Sequence, residues 1–303
     1  MRMETEGHAL MNAEQPKATA NFRSRVRATA AQLVPAPVAA FWARKDVQAV
    51  WEWVKEPLYA IVLMFAFTSI VVQPFYVPSG SMEPTLAIGD AVLAAKFPYG
   101  YTRYSLPFDY IFLGESKSAP KPVLAHLPTV GDVIVFRLPR DPKITFVKRV
   151  VGLPGDHIQV KGGMLWINGK ELPRKWAGLA SDEDEAGGEA MVPTYIETLP
   201  NGRTHRIFKR VAAGSESAPQ EYAANNTQEF VVPEGHVFMM GDNRDNSCDS
   251  RFPMEVCGVG YVPVGNLVGR AFIVIGSVDF KNAGSPLEWP LYFRFSRLLT
   301  LVR

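Results

Sequence analysis

Histidine is scarce in this 303-residue sequence, and its scarcity narrows the chemistry that the chain can perform. The Gly-x-Ser-x-Gly elbow of the hydrolases is also absent. None of the five histidines lies in the glycine-, serine- or acid-rich cluster that a Ser-His-Asp triad needs; they are His8, His126, His157, His205 and His236. A serine hydrolase with a histidine base is therefore disfavoured. His157 and His236 fall at the starts of predicted strands, where a structural role is the better interpretation.

Cysteine is scarcer still, with two residues in the whole chain. Cys248 and Cys257 lack the second pair of ligands that a zinc site requires, so we expect no metal and no cofactor. An oxidising compartment would permit a disulfide that closes a small loop between them. A disulfide and two free thiols both remain open at this point.

An excess of charge of one sign is lacking as well. The net charge is +2 and the basic residues are scattered, so no nucleic-acid partner is expected. The chain is 47% hydrophobic and can bury a core, while 24 glycines and 24 prolines punctuate it at short intervals. This pattern predicts a mainly β body. Asn168-Gly169 and Pro200-Asn201-Gly202 are its clearest hairpin turns.

Charged residues are missing altogether between Pro57 and Met82. The segment 57–77 has 21 residues, and a helix that spans a bilayer needs about 20. It starts too late for a cleaved signal peptide, so we predict one transmembrane helix. A buried core helix is the alternative, but the flanking Trp51, Trp53, Phe75 and Tyr76 favour a membrane interface.

The basic residues are unevenly placed around this segment. Six precede it within about 35 residues, whereas the first one after it is Lys96. The positive-inside rule then places the N-terminus in the cytoplasm and the rest of the chain on the far side. The six are Arg23, Arg25, Arg27, Arg44, Lys45 and Lys55.

A serine turn follows the apolar segment directly, in Pro78-Ser79-Gly80-Ser81-Met82-Glu83-Pro84-Thr85-Leu86. Gly80 permits a tight turn, and Ser79 and Ser81 share one side of an extended stretch. Three residues after Ser81 stands Pro84, so the Ser-x-x-Lys motif of the penicillin-binding fold does not apply here. A nucleophilic serine at this turn needs a base from elsewhere in the chain.

Lys148 is the candidate base. Strand alternation in 143–151 places it on one face with Ile144, Phe146 and Val150, as the single charge among apolar side chains. Burial lowers the pKa of a lysine, and the neutral amine can act as a general base. The alternative is a lysine at a strand edge that extends to water.

The third candidate is the polar stretch from Gly241 to Arg251, Gly-Asp-Asn-Arg-Asp-Asn-Ser-Cys-Asp-Ser-Arg. Its density of turn formers and charges is not typical of a core. A polar turn or a calcium loop is the alternative, although no glutamate follows at the EF-hand position.

Together these three stretches resemble the motif set of the bacterial type I signal peptidases. The matching segments are 78–86, 146–156 and 241–251, in the family's order and after a membrane segment, and the resemblance covers about residues 57–275. It implies a serine endopeptidase with a signal-peptidase-like catalytic β core, an inserted β subdomain and one N-terminal transmembrane helix.

The resemblance also implies residue roles. Ser81 matches the nucleophile, Lys148 the general base, and Ser79 the hydroxyl that joins the Ser81 backbone N–H in the oxyanion hole. Ser247 matches the serine that orients the lysine. The family also has two charge pairs that shape the site. Arg149 with Asp242 matches one of them, and Asp249 with Arg251 matches the other.

Family members cleave signal peptides from exported preproteins after small residues, in Ala-x-Ala. Shallow apolar pockets would accept alanine, and eight positions match their walls: Phe75, Val77, Met82, Leu86, Val92, Val135, Phe146 and Val147. Core packing is the alternative for these residues. The implied partners are signal peptides, membrane lipid and, as a candidate, the protein translocation machinery. The implied location is the bacterial inner membrane, with a single pass, a cytoplasmic N-terminus and the catalytic part outside.

We accordingly predict six regions along the chain. They are a partly disordered cytoplasmic tail (1–56), the transmembrane helix (57–77), a first part of the catalytic core (78–160), an inserted subdomain (161–230), a second part of the core (231–280) and an interfacial C-terminal segment (281–303). An ordinary terminal helix is the alternative for the last region.

Two other classes of protein share part of this pattern. A self-cleaving regulator of the repressor type shares the Ser/Lys chemistry, but the spanning segment and the lack of a DNA-binding module argue against it. A non-catalytic membrane-anchored β module would not need Ser81, Lys148 and Ser247 to be intact.

Overall fold

The computed structural model describes residues 36–42, 44–105, 119–183, 189–211, 215–216, 219–280, 282–283, 285 and 287–303. Most of the predicted cytoplasmic tail, residues 1–35, lies outside this part of the chain. The described α-helices are α1 (Ala36–Trp42), α2 (Lys45–Ile70) and α3 (Pro219–Asn225). Helix α2 has 26 residues, buries none of them, and is long and apolar enough to cross a membrane.

The bounds of α2 correct the predicted helix over 57–77. The helix begins twelve residues earlier and ends at Ile70, and the next segment, Val72–Tyr76, is a strand. Pro74 explains the end of the helix, because its ring excludes a helical hydrogen bond and disfavours a helical conformation at Gln73. No charged residue marks the junction between helix and strand, so hydrophobicity alone could not separate them.

The described residues form fourteen strands, and the prediction of a mainly β fold is confirmed. In chain order they are β1 (Val72–Tyr76), β2 (Asp90–Ala95), β3 (Val133–Leu138), β4 (Asp141–Gly152), β5 (His157–Lys161), β6 (Met164–Ile167), β7 (Lys170–Glu171), β8 (Arg174–Glu183), β9 (Glu189–Thr198), β10 (Thr204–Phe208), β11 (Phe230–Val231), β12 (His236–Met240), β13 (Val262–Pro263) and β14 (Leu267–Ser277).

The largest sheet is antiparallel and has seven strands in the order β1-β2-β14-β3-β4-β12-β13. Pro74 lies on the edge strand β1, where a missing N–H donor is tolerated. Strand β3 is buried on both faces: Val133 and Val135 pack in one core cluster, and Ile134 and Phe136 in another. Burial of both faces is the reason why residues 133–136 form a continuous apolar run.

Two smaller sheets complete the described β structure. Strands β10-β9-β8 form a three-stranded sheet, which we call the insert sheet, and β11-β5-β6-β7 form a four-stranded one. The predicted boundary between core and insertion at residue 161 cuts this second sheet, because β5 pairs with β6. The turn between β6 and β7 has positive φ at Asn168 (52°) and Gly169 (73°), as its sequence predicts.

The end of the chain lies along β14. Backbone bonds join Leu299, Thr300 and Val302 to Val274 and Phe272, so this part packs on the sheet. Short 3₁₀ turns at Trp289–Tyr292 and Phe295–Arg297 replace the alternative of a terminal helix. Contact of the segment with lipid stays a prediction.

Candidate active site

The serine turn leaves β1 through an extended Ser79 and forms a 3₁₀ turn over Gly80–Met82. Ser79 has φ −131° and ψ 152°, and the N–H of Glu83 closes the turn on the Gly80 carbonyl at 3.1 Å. Ser81 is half-buried, whereas Gly80 and Met82 are buried. The turn therefore fixes the backbone of Ser81 and leaves its hydroxyl accessible from one side.

Lys148 on β4 meets this hydroxyl. Its side chain is 1% exposed, and Nζ lies 2.5 Å from Ser81 Oγ. The ring centroid of Phe146, on the same strand face, is 5.5 Å from Nζ. The alternative of a lysine that extends to water does not fit this burial. The structure thus brings two predicted residues, 67 positions apart in the chain, into hydrogen-bond contact.

The stretch 241–251 follows β12 and packs against the serine turn. A Cβ at Gly241 would lie 2.2 Å from Ser247 Oγ and 2.4 Å from the Ser81 carbonyl oxygen, so only glycine fits there. Ser247 lies beside Lys148 in the lining of one cleft. Its buried hydroxyl has no hydrogen-bond partner among the residues that the structure describes, so a bond to the lysine is not formed in this state.

Both predicted charge pairs are formed, and both are buried. Arg149 donates to Asp242 from Nε at 2.7 Å and from Nη2 at 2.6 Å. Burial alone would raise the pKa of the Asp242 carboxyl, but the Arg149 charge and its hydrogen bonds hold that pKa below 3.8. Asp249 is held in the same way by Arg251 and by the N–H of Gly241, and its pKa is also lowered.

A third buried charge cluster was missed by sequence reasoning. Arg244 pairs with Glu197, and His205 lies between Glu197 at 3.5 Å and Asp242 at 3.7 Å. Burial and the Arg149 charge lower the pKa of His205 to about 4, so the ring is neutral near pH 7. The hairpin turn at 200–202 sets a strand register in which His205 lies opposite Glu197. The burial of both side chains depends on packing against distant parts of the chain, which no local sequence pattern encodes.

A cleft of about 710 Å³ opens over Ser81 and Lys148. Its lining includes Ser79, Phe146, Ser247, Phe252 and Val256. Among the described residues that line this cleft there is no histidine. The alternative of a histidine-based site accordingly finds no support in this geometry.

One wall of the cleft carries both cysteines. Cys248 and Cys257 are joined in a disulfide with a Cα–Cα distance of 5.5 Å, which settles the open choice between a bridge and two thiols. Within the described ranges, no cluster of three or more His, Cys, Asp or Glu side chains could hold a metal ion.

The eight predicted pocket positions fall into two groups. Phe146 lines the cleft itself. The other seven belong to one apolar cluster under the serine turn. Five of them have 3% exposure or less, and these are Val77, Met82, Leu86, Val92 and Val135. The remaining two, Phe75 and Val147, are partly buried and pack against the five. Most of these side chains serve core packing, and a pocket at their surface stays a prediction.

Comparison with known proteins shows the family to which the chain belongs. The family described as "Signal peptidase, peptidase S26" matches residues 50–276. The chain therefore belongs to the bacterial type I signal peptidases, the serine peptidases that cleave signal peptides from preproteins.

Individual relatives show how far the similarity extends. The Signal peptidase I of Rickettsia typhi is 38% identical over 214 residues, which cover 70% of this chain and 75% of the relative. That of Rickettsia prowazekii is 37% identical with the same coverage. A crystal structure of a signal peptidase I from Enterococcus faecalis V583 is 23% identical, covers 48% of this chain and 97% of its own, and superposes with a TM-score of 0.26.

Proposed function

We propose that Ser81 is the nucleophile and Lys148 the general base of this signal peptidase. The observation that carries the proposal is the 2.5 Å distance between Lys148 Nζ and Ser81 Oγ, at a lysine that is 1% exposed. An ammonium group there loses its hydration, which favours the neutral amine that the reaction requires. The hydroxyl that the amine would deprotonate already lies within reach.

The proposed reaction has two halves. In the first, Ser81 Oγ attacks the carbonyl carbon of the scissile peptide bond while its proton passes to Lys148 Nζ. The tetrahedral intermediate collapses, the ammonium protonates the leaving amine, and an ester forms at Ser81. In the second half, water gives a proton to Lys148 and attacks the ester. The signal peptide leaves with a new carboxyl group, and the Lys148 ammonium returns the proton to Ser81 Oγ, which restores the serine and the neutral amine.

An oxyanion develops in both halves. The Ser81 N–H and the Ser79 hydroxyl are the proposed donors to it, and Ser79 lines the same cleft as Ser81. Loss of one such donor typically costs about 3 kcal/mol in the transition state. Ser247 is the proposed positioning residue for Lys148, since its buried hydroxyl is free for a bond that forms with substrate.

The proposed substrates carry small residues at the positions one and three before the scissile bond, as in Ala-x-Ala. The proposed walls that exclude larger side chains are Phe146 in the cleft and the partly buried Phe75 and Val147, which pack against the apolar cluster. Because these side chains pack against the core, they cannot move aside for bulk without loss of contacts.

The proposed setting is the inner membrane. Helix α2 is the proposed span, and the basic residues that precede its apolar part support a cytoplasmic N-terminus and a cleft on the other side of the membrane. Membrane lipid and the translocation machinery are the proposed partners there, because a signal peptide reaches the cleft only as it leaves the membrane.

A cleavage assay in detergent tests the dyad. A preprotein whose signal peptide ends in Ala-x-Ala is incubated with wild type, Ser81→Ala and Lys148→Met. We expect the rate of both variants to fall by about 10³-fold or more. Ser285→Ala and Lys170→Met, which lie outside the cleft, are matched controls and should cleave like wild type. Near-wild-type cleavage by either dyad variant would overturn the proposal.

A further inference from the structure

The serine turn is held by a side chain that the dyad chemistry does not use. The backbone N–H of Asn243 donates to the Ser81 carbonyl at 3.2 Å, and its Nδ2 donates to the Gly80 carbonyl at 3.2 Å. Asn243 is 0% exposed. One asparagine therefore contacts two consecutive peptide units of the turn, and at the Gly80 carbonyl it adds to the hydrogen bond from the Glu83 N–H.

The orientation of that asparagine depends on Asp182. The second Nδ2 hydrogen is donated to Asp182 Oδ1 at 2.9 Å, while Asn243 Oδ1 has no hydrogen-bond partner among the described residues. Both groups that face Nδ2 are acceptors only. A flipped amide would point its oxygen at a carboxylate and a carbonyl, so Asp182 excludes the flip.

Asp182 belongs to strand β8 of the insert sheet, outside all three motifs. Its carboxylate is 0% exposed, and its other oxygen accepts a hydrogen bond from Arg210 Nε. Arg210 follows β10, the third strand of the same sheet. Both carboxylate oxygens of Asp182 therefore accept a hydrogen bond, one from Arg210 and the other from Asn243.

We propose that Asp182 is a positioning residue for the nucleophile, and that it acts through the Asn243 amide on the Gly80 and Ser81 backbone. The proposal rests on the proposed role of Ser81. In this proposal the insert sheet contributes indirectly to catalysis. It supplies the acceptor, Asp182, that fixes the orientation of the Asn243 side chain under the serine turn.

Loss of this link has a defined consequence. Without Asp182 the Asn243 amide can flip, and its oxygen then repels the Gly80 carbonyl and displaces the Ser81 turn. Misplacement of a reacting group by about 1 Å can cost about 10²-fold in rate. Substrate binding elsewhere in the cleft does not depend on the link. We expect Asp182→Ala to lower kcat by about ten- to a hundredfold, with KM within about twofold of wild type.

Two further variants separate positioning from stability. Asp182→Asn is made in an Arg210→Gln background, so that the new amide nitrogen faces an acceptor instead of the Arg210 donor. Its amide oxygen can then accept from Asn243 Nδ2, and kcat should recover to within about threefold of wild type. Val192→Ala is the matched control, because Val192 is buried in the insert sheet opposite Ala180 and lacks the polar link. It should lower Tm of the full chain in detergent while kcat stays near wild type.

The outcomes are distinguishable. If Ser81→Ala still cleaves, the proposed function fails. If Ser81→Ala is inactive but Asp182→Ala has the kcat of wild type, the positioning role alone fails. Equal losses of kcat in Asp182→Ala and Val192→Ala at equal Tm would also overturn it, since stability would then explain both. A failure of Asp182→Asn in the Arg210→Gln background to recover kcat, in protein with the Tm of wild type, contradicts the amide link itself.

Discussion

At the scale of single residues, the site is surrounded by buried charge that is neutralised locally. Arg149, Arg244 and Arg251 each contact a carboxylate, and each of these side chains is nearly inaccessible to water. A buried ion pair adds little net stability, but removal of one partner leaves an unpaired charge that costs several kcal/mol, about 3 to 5. We propose that these pairs fix the geometry around Lys148 more than they stabilise the fold.

His205 is the exception in this cluster, because it is buried as a neutral ring. Its pKa is about 4 in the folded chain and its ordinary value is 6.5. Between these values the unfolded chain binds a proton that the folded chain does not, so stability falls as pH decreases from 6.5 to 4. The slope approaches about 1.4 kcal/mol per pH unit, or about 3 kcal/mol over the window.

We predict that His205→Gln flattens this slope. Urea unfolding in detergent, repeated between pH 4.5 and 7, gives the free energy of unfolding of the variant and of wild type. His126→Gln is the matched control, because its ring is exposed and should leave the slope unchanged. A slope in His205→Gln equal to that of wild type would contradict a neutral His205 in the folded state.

At the scale of elements, consecutive residues of strand β4 point to opposite faces of the sheet and contact different parts of the site. Lys148 contacts Ser81, whereas its neighbour Arg149 contacts Asp242 behind the serine turn. The loop that follows β12 completes the site, and the disulfide closes part of it into a ring. The bridge has a sequence separation of 9 and carries one wall of the cleft.

We predict that the double variant Cys248→Ala/Cys257→Ala loses stability and cleaves more slowly. Closure of a loop of about ten residues is worth about 2 to 3 kcal/mol through the entropy of the unfolded chain. A reductant should lower Tm and the cleavage rate of wild type towards those of the variant and leave the variant unchanged. The prediction is contradicted if a reductant opens the disulfide and Tm of wild type does not change. The cleft wall would then not depend on the disulfide.

Much of this element-level structure was accessible from sequence, for identifiable reasons. Strands such as His157–Lys161, whose side chains alternate between the surface and the core, and the Asn168-Gly169 turn follow local rules of alternation and turn chemistry. The end of α2 was misplaced because an apolar run fits both a helix and an edge strand. The contacts of Asp182 and His205 were missed because they join the insert sheet to distant loops, and only the packed fold brings these together.

At the scale of the whole molecule, α2 is an apolar helix without buried residues, which fits a membrane-anchored enzyme. We predict that the full chain, reconstituted into lipid vesicles, stays with them through an alkaline carbonate wash. The double variant Leu63→Arg/Met64→Arg should be released more readily, since each arginine in mid-span costs about 2.5 to 3.5 kcal/mol.

Leu291→Arg is the control for this experiment. Leu291 is 82% exposed in the C-terminal segment. If that segment lies on the membrane surface, Leu291→Arg should weaken its adsorption to the vesicles, but the chain should still resist extraction by carbonate. Release of Leu291→Arg together with retention of the α2 variant would mean that the anchor is the C-terminal segment and not α2.

The central claim, that Ser81 attacks the substrate with Lys148 as its base, is tested most directly by the covalent intermediate. The full-length enzyme is mixed with a signal-peptide substrate, quenched in acid within milliseconds, digested and examined by mass spectrometry. The account predicts that the peptide containing Ser81 gains the mass of the N-terminal cleavage fragment as an ester, and that Lys148→Met shows no such gain. Turnover without an adduct under conditions that accumulate the intermediate, or an adduct on any other residue, would contradict it.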